Sequence, residues 1–404
     1  PKASKEHVEE ISAEKHTYDI EMGGTLDEFN TAVYSQTYSG FMRMESKFEP
    51  NEYVAIENVG DCDVVAPRVV VNGRRNWHSA EEILQGVLEP WMTEAEKAMA
   101  IWKFTSSIEV QCHDNNKRVG PPFPDDRSHP SRNGFKERGD PVKAANCYYC
   151  SGCSLSAANF VVLCRRAGLT ARAIWICDQD KYSTHCVAEA WHDDGWHLYD
   201  PENALFFLAE GNTTVASYRQ VHENFNLAKR TRYAGFSNEK QLDLKIRYDQ
   251  HYPPRGMPVE DWVSTMDMTL RPHEKFVWLW DTVGKFRCGD NTRNRGYEPY
   301  RLANGRMVYR PDLSKNQWRH GAVGERNIQS AAEDGGIPCI RPAVAGAPAT
   351  VVFKIANPYP IVGGVIGGRF VRKTDRGSCR IYVSVANSDW ACVWSAEETG
   401  ELAC

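Results

Sequence analysis

The stretch SGCSLSAANFVVLCRRAGL, residues 151–169, places Cys153 directly after a glycine and at the start of an apolar, helix-forming run. The run predicts a helix from about 153 to 167, with arginines in its last turn and Gly168 as the residue that ends it. A thiol in the first turn of a helix faces backbone N–H groups without intrahelical acceptors and the positive end of the helix dipole. Both features favour the thiolate form, so this position suits a cysteine nucleophile.

Three strand-like runs follow the cysteine helix. They are ARAIWIC at 171–177, THCVAEAW at 184–191 and GWHLYDP at 195–201, each rich in β-branched or aromatic residues. The tetrapeptide HDDG between the last two runs predicts a tight hairpin turn. The sequence therefore predicts a helix packed on an antiparallel sheet.

The hairpin carries the proton partner that a thiol nucleophile needs, a histidine oriented by a carboxylate. Alternation along the second strand places His185 and Glu189 on one face and Cys186 on the other. Antiparallel pairing brings His185 near Asp200, at the end of the hairpin away from its turn. Cys153, His185 and Asp200 are therefore the predicted catalytic residues.

The order of these three residues, with His185 in an H-x-V-x-E run and Asp200 in GWHLYDP, resembles the transglutaminase-like superfamily. These papain-like thiol enzymes include transglutaminases, peptide N-glycanases and bacterial transglutaminase-like proteins. The likeness spans about residues 93 to 205, and LCRRAGLTARAI is also similar to the stretch that follows the family's nucleophile helix. The resemblance implies Cys153 as nucleophile, His185 as general base and then acid, and Asp200 as the group that orients the imidazole.

The resemblance also implies a pocket for the negatively charged oxygen of the reaction intermediate and no cofactor. The backbone N–H of Cys153 is one expected donor to that oxygen, and a second donor lies upstream. Asn146 and Trp102 are the candidates for the second donor.

The expected fold class is α+β, a transglutaminase-like core flanked by β-rich regions. TEAEKAMAIWKFTSS begins with a capping box, Thr93 and Glu96, and predicts a helix from about 93 to 107. The segment 115–140 is rich in Pro, Gly and charge and predicts a long loop. The predicted domains are an N-terminal β-rich subdomain (1–90), the catalytic core (91–258) and a C-terminal β-sandwich region (259–404).

Six residues around the predicted cleft are candidates for substrate binding: Tyr148, Tyr149, Trp175, Tyr182, Glu189 and His197. The aromatic rings suit stacking on a sugar, although core packing is the common role of such residues. Glu189 has an alternative role as the ion-pair partner of Arg172 on the neighbouring strand. His192 and His197 flank the hairpin turn and are expected at the surface or in contact with substrate.

A metal site competes with the nucleophile interpretation. CYYCSGC supplies Cys147, Cys150 and Cys153 at a spacing typical of zinc ligands. Cys164 or His113 would be the fourth ligand of such a zinc knuckle. The prediction otherwise includes no metal.

The amino-acid composition limits the kinds of binding partner that we expect for this chain. Of the 404 residues, 42% are apolar and 25% charged, and the net charge of −5 comes without a basic block, so nucleic acid binding is not expected. No apolar stretch is long enough to span a bilayer. The 13 cysteines and the accessory β regions favour a secreted or periplasmic protein.

Three functions remain open from the sequence. The first is a thiol-dependent hydrolase or acyltransferase that acts on an amide bond of a polypeptide or glycoprotein. The second is a carbohydrate-active enzyme that cleaves a polysaccharide by hydrolysis or elimination, with His185 and a nearby tyrosine as base and acid. The third is a binding module without enzymatic activity.

Overall fold

The structure is a computed structural model of the 404-residue chain. It describes residues 6–12, 17–20, 34–36, 41–43, 53–71, 77–108, 110–111, 139–148, 150–177, 183–230, 253–279, 304–314, 316–332, 336–359, 361, 364–384 and 389–404. The predicted loop at 115–140 lies outside these residues except for its last two positions.

The α-helices of the described residues lie between residues 80 and 230. They are α1 (Ala80–Val87), α2 (Glu94–Ile108), α3 (Pro141–Lys143), α4 (Cys153–Arg166), α5 (Tyr218–Glu223) and α6 (Asn226–Arg230), with a π-helical turn at Ala144–Tyr148 and a 3-10 helix at Gln317–Gly321. In the described residues, no helix combines the length and apolar character needed to cross a membrane.

Strands occur on both sides of the helical segment and within it. The N-terminal strands are β1 (Glu6–Ile11), β2 (Thr17–Ile20), β3 (Tyr34–Gln36), β4 (Phe41–Arg43), β5 (Tyr53–Asn58), β6 (Val64–Val65) and β7 (Arg68–Val71). The central strands are β8 (Val110–Gln111), β9 (Cys150–Ser151), β10 (Thr170–Cys177), β11 (Ser183–His192), β12 (Gly195–Tyr199) and β13 (Arg255–Met257).

The remaining strands form the C-terminal part. They are β14 (Thr269–Leu270), β15 (Glu274–Leu279), β16 (Asn304–Tyr309), β17 (Ala322–Arg326), β18 (Ile328–Ala332), β19 (Pro338–Pro342), β20 (Thr350–Phe353), β21 (Arg369–Arg372), β22 (Arg380–Val383), β23 (Ala391–Ser395) and β24 (Gly400–Ala403).

The core is α4 packed on an antiparallel sheet with the strand order β12-β11-β10-β13. Small side chains on β11, Cys186, Ala188 and Ala190, are buried against α4 and let the helix approach the sheet closely. Val187, on the opposite face of β11, packs in a second apolar cluster. The predicted division of β11 into two faces and the predicted helix-on-sheet arrangement are confirmed.

Local signals in the sequence set the ends of these elements. Thr93 and Glu96 cap α2 reciprocally, with the Thr93 N–H donating to Glu96 Oε2 at 2.8 Å and the Glu96 N–H to Thr93 Oγ1 at 3.3 Å. Gly168 follows α4 with a φ of +84°, which a residue with a side chain rarely adopts. Asp193 and Asp194 both have positive φ, 47° and 57°, as a two-residue hairpin turn requires.

A second sheet joins the two ends of the chain. Its order is β1-β5-β15-β16, where β1 and β5 are parallel and the other neighbours are antiparallel. The N-terminal and C-terminal β regions, expected as separate parts, thus share one sheet, because β15 pairs with β5 along most of its length. Which residues bound each domain stays a prediction.

Beyond this sheet, the C-terminal strands that are described pair two by two, as β17 with β20, β18 with β19, β21 with β24 and β22 with β23. Most of their residues are exposed or half-buried. The β-sandwich predicted for residues 259–404 therefore stays a prediction. Trp318 is a local exception, because its ring is fully buried and its indole N–H donates to Ser330 Oγ at 2.9 Å.

Candidate active site

The first turn of α4 presents the candidate nucleophile. Cys153 is the first residue of the helix and is half-buried, and Gly152 before it supplies no side-chain cap. The N–H groups of Leu155 and Ser156 donate to the carbonyl of Gly152 at 2.9 and 3.0 Å. Helix geometry gives the N–H groups of Cys153 and Ser154 no acceptor within the helix. These donors and the helix dipole therefore create a positive electrostatic potential around the sulfur.

His185 is held by Asp200 at the end of the hairpin away from its turn. His185 Nε2 lies 2.7 Å from Asp200 Oδ2, and the two side chains are 1% and 0% exposed. The distance is that of a short, charge-assisted hydrogen bond. Burial of both groups keeps water from competing for the bond.

Asp200 is itself fixed from three sides. Its backbone pairs with Leu205 in a two-residue bridge, with N–H to oxygen distances of 2.8 and 2.9 Å. Asn203 donates from its backbone to Asp200 Oδ1 at 3.1 Å and from Nδ2 to Asp200 Oδ2 at 2.9 Å. The indole N–H of Trp102 donates to the Asp200 carbonyl at 3.4 Å. The carboxylate that orients the imidazole is therefore rigid.

The thiol and a second carboxylate meet His185 on its other side. The Cys153 thiol lies beside the imidazole, and the ligand atoms of Cys153, His185 and Glu202 all lie within 4.8 Å of one another. Glu202 Oε2 is 3.4 Å from His185 Nδ1, and its side chain is 3% exposed. A sulfur, an imidazole and two carboxylates thus lie in one cluster, in which the sulfur is half-buried.

The charges of this cluster shift the protonation of His185. Burial is the largest single influence and lowers the pKa of His185, but the charge and hydrogen bond of Asp200, with smaller contributions from the Cys153 and Glu202 side chains, together raise this pKa to about 10. An imidazolium beside a thiol stabilises the thiolate. The arrangement can therefore hold a proton on the ring beside the sulfur.

Glu202 and Asn203 are the members of the site that sequence reasoning missed. Both follow the Asp-Pro pair at 200–201, in a turn where Ala204 has a φ of +51°. The polar run PEN directly after the predicted turn former was the available signal. It was weak, because such residues are common in exposed turns and nothing in the pattern shows that this turn folds back onto His185.

Glu189 has internal partners for both carboxylate oxygens. Arg172 donates to Glu189 Oε2 from Nε at 3.0 Å and from Nη2 at 2.7 Å, which confirms the predicted ion pair. The backbone N–H of Tyr218 donates to Glu189 Oε1 at 2.9 Å. Glu189 therefore braces the first residue of α5 against the sheet, and its position does not support a contact with substrate.

The expectation that His192 and His197 lie at the surface is wrong. Both are buried, and their rings stack with centroids 3.8 Å apart. His192 Nε2 lies 3.0 Å from the Tyr199 hydroxyl, and His197 Nε2 lies 3.0 Å from the His192 carbonyl. His197 Nδ1 bonds to the carbonyl of Val215. His197 is thus engaged inside the fold rather than open to substrate.

The aromatic candidates for substrate binding are only partly described. Trp175 lies on β10 between Cys186 and Arg255 and packs against the main apolar core. Tyr149 and Tyr182 lie outside the described residues, as does the side chain of Tyr148. Their contact with substrate stays a prediction.

Both candidates for the second oxyanion donor point elsewhere. Asn146 Nδ2 donates to the carbonyls of Trp77 and Val142, each at 2.8 Å, so both of its amide hydrogens have acceptors. The single N–H of Trp102 donates to the Asp200 carbonyl. Neither residue provides the donor in this conformation, since each is already engaged with a backbone carbonyl.

The zinc knuckle receives no support from the described side chains. Within them, the two clusters with ligand atoms close enough for a metal are Cys153–His185–Glu202 and His192–Asp193–His197, and neither contains Cys147. Cys164 lies fully buried in the apolar core, where burial raises the pKa of its thiol well above the ordinary value and opposes a zinc-binding thiolate. The side chain of Cys150 and residue His113 lie outside the described part.

A helix that begins with a cysteine, packed on an antiparallel sheet that carries a histidine–aspartate pair, defines a papain-like thiol protein. The family comparison agrees, since residues 81–201 match the model of the transglutaminase-like superfamily, and this part of the chain is a transglutaminase-like core. The match runs from α1 to Pro201 and so begins earlier than the likeness visible in the motifs. No curated protein and no solved structure matches the chain.

Proposed function

We propose that this chain is a thiol-dependent hydrolase or acyltransferase that acts on an amide bond of a polypeptide or glycoprotein. One observation carries the proposal: buried His185 is bound by Asp200 through Nε2 at 2.7 Å and has the Cys153 thiol within 4.8 Å. Cys153 is the proposed nucleophile, His185 the proton carrier and Asp200 the residue that orients and charges the ring.

In the first half of the proposed reaction, His185 holds the thiol proton while the sulfur attacks the amide carbonyl and the carbonyl electron pair moves to oxygen. The backbone N–H of Cys153 donates to this oxygen. The carbon–nitrogen bond then breaks, His185 gives its proton to the leaving amine, and a thioester with Cys153 remains.

In the second half, water or an acceptor amine loses a proton to His185 and attacks the thioester. The carbon–sulfur bond breaks, and the thiolate and imidazolium of the resting site are restored. Asp200 stays ionised throughout, since its role is to keep the ring oriented and to stabilise its positive charge. Hydrolysis and transfer differ only in the attacking group.

Two variants of the CYYCSGC run test the proposal. Purified protein and its Cys153→Ala and Cys147→Ser variants are incubated with casein and with glycopeptides, with and without a primary amine, and the products are analysed by mass. We expect amide cleavage or amine incorporation by the native protein and by Cys147→Ser, and none by Cys153→Ala. Turnover that survives in Cys153→Ala contradicts the proposal.

The other interpretations stay predictions. Polysaccharide elimination needs a tyrosine beside His185, and the tyrosines predicted there lie outside the described side chains. A rise in ultraviolet absorbance on incubation with acidic polysaccharides would report the unsaturated sugar that elimination produces. A binding module without activity predicts a Cys153 that reacts with iodoacetamide no faster than the other thiols. Secretion or export to the periplasm likewise remains a prediction from the cysteine count.

A further inference from the structure

We propose that Cys153, His185 and Glu202 form a zinc-binding site, in which a bound zinc ion switches off the thiol chemistry. The site itself stands on the geometry of these three side chains, and the switching rests on the proposed function. It differs from the zinc knuckle of the CYYCSGC run, with which it shares only Cys153.

The spacing of the three groups fits tetrahedral zinc. With bond lengths of about 2.0–2.3 Å to nitrogen, oxygen and sulfur, ligand atoms in a zinc tetrahedron lie about 3.3–3.6 Å apart. His185 Nδ1 and Glu202 Oε2 are already 3.4 Å apart, and the ligand atoms of all three residues lie within 4.8 Å of one another. Small rotations of side chains are enough to close the site on the ion.

The orientation of His185 prepares Nδ1 for a metal. Because Asp200 Oδ2 lies 2.7 Å from Nε2, the ring keeps its proton on Nε2 when a metal displaces the proton on Nδ1, and the Nδ1 lone pair then points toward Glu202 and the sulfur. A carboxylate on the far nitrogen is the usual outer partner of a zinc-bound histidine. Asn203 steadies that carboxylate through Asp200 Oδ1 and Oδ2.

The charges also match a divalent cation. A thiolate and a carboxylate together neutralise the two positive charges of zinc, and a neutral imidazole completes the set. Zinc binding releases to solvent the proton that Cys153 and His185 share, since the thiolate and the neutral imidazole are the ligands. Three protein ligands leave a fourth position for water, as in open zinc sites. Cys153 is half-buried, which gives the ion a route from solvent.

Zinc and catalysis exclude each other at this site. A sulfur bound to zinc does not attack a carbonyl, and His185 Nδ1 bound to zinc does not exchange a proton. Glu202 adds a third ligand to the thiol–imidazole pair. Its carboxylate thus gives the cluster a metal-binding role that the catalytic residues alone do not provide.

Metal binding is measured directly with the full-length protein and Glu202→Gln, Cys153→Ser and Cys147→Ser variants. Zinc affinity is obtained by competition with a chromophoric chelator, and cobalt(II) replaces zinc as a spectroscopic probe. We expect one zinc ion per chain, a sulfur-to-cobalt charge-transfer band that Cys153→Ser removes, and affinity at least about 100-fold weaker in Glu202→Gln, since even loss of an outer partner costs about 10–100-fold. Cys147→Ser is expected to bind like the native protein.

Alkylation of Cys153 by iodoacetamide, followed peptide by peptide, provides the second readout. Zinc is expected to slow alkylation of Cys153 in the native protein and to have little effect in Glu202→Gln, whose folding is checked by circular dichroism. Zinc affinity unchanged in Glu202→Gln, or lost in Cys147→Ser, overturns the inference. Rapid alkylation that zinc does not slow overturns it while leaving the proposed function intact, whereas zinc binding to a protein without thiol activity removes only the proposed function.

Discussion

Replacing Asp200 by asparagine tests the proton-carrying arrangement with little change in shape. Asp200 Oδ2 lies 2.7 Å from His185 Nε2 and accepts from Asn203 Nδ2 at 2.9 Å, while Oδ1 accepts from the Asn203 backbone at 3.1 Å. All three neighbouring groups act as donors. An amide has one acceptor oxygen and one donor nitrogen, so the variant satisfies only one side of this arrangement.

Either orientation of the amide has a cost. With its oxygen toward His185, the amide nitrogen meets the backbone N–H of Asn203, and the lost hydrogen bond costs about 1–3 kcal/mol of folding free energy. With its nitrogen toward His185, Nε2 must accept, and the ring proton moves to Nδ1. That tautomer cannot take a proton from Cys153.

The variant also removes the charge that raises the pKa of His185, while the burial that lowers this pKa remains. Without an imidazolium beside it, Cys153 loses the neighbouring positive charge that favours a reactive thiolate. The higher intrinsic reactivity of a more basic thiolate offsets part of this loss. We therefore expect alkylation of Cys153 at pH 6 to slow by about tenfold to a hundredfold.

The assay measures the iodoacetamide rate of the Cys153 peptide in native protein, in Asp200→Asn and in Asp194→Asn. Asp194 is an exposed turn residue with a φ of +57°, a conformation that asparagine accepts, so its variant is a matched control. Urea unfolding measures the loss of stability alongside. A folded Asp200→Asn protein that is alkylated at the native rate would show that Asp200 does not control the reactivity of Cys153.

Three further predictions concern the helix start and the packing around the core. Gly152→Asp adds an N-cap side chain that fits without a clash, since a Cβ there meets nothing within 4 Å, and it should stabilise α4 by about a few tenths of a kcal/mol. The same variant should slow Cys153 alkylation relative to Gly152→Ala. Burial, aided by Arg68, lowers the pKa of His78 to about 4 from 6.5, so the neutral ring contributes up to about 3 kcal/mol to the free energy of unfolding. This contribution is complete above pH 6.5 and should be lost as the pH falls toward 4. His78→Gln should flatten this part of the curve of unfolding free energy against pH. Glu189→Ala should destabilise the fold by about 1–3 kcal/mol in urea unfolding, since it leaves the buried N–H of Tyr218 without an acceptor while the exposed Arg172 returns to water. The folded variant should keep native alkylation of Cys153, and slow alkylation would instead place Glu189 in the site.

The sequence was most informative about features that neighbouring residues determine. The capping box at Thr93, the glycine at 168 and the alternation of β11 each have a short-range physical cause, and the structure reproduces all three. The hairpin then brought His185 and Asp200 together by geometry alone, because antiparallel pairing fixes which residues meet. These features needed no knowledge of the rest of the chain.

Other features depend on contacts that no local pattern encodes. Glu202 joins the site only because the turn after Asp200 folds back onto His185, and the pairing of β5 with β15 joins segments more than 200 residues apart. The burial of His197 follows from its stacking on His192 and its bond to Val215, on a segment that the hairpin pattern does not include. Such long-range contacts have no periodic signature in the sequence.

In the proposed mechanism, the sulfur of Cys153 exchanges a proton with an imidazole that Asp200 holds in place. The most direct test compares peptide-resolved alkylation rates of the cysteines in the native protein at pH 6, with His185→Gln as the reference. We predict that Cys153 reacts at least about tenfold faster than the other thiols and that His185→Gln removes this advantage. A Cys153 that reacts no faster than its neighbours, or equally fast without the imidazole, contradicts the account.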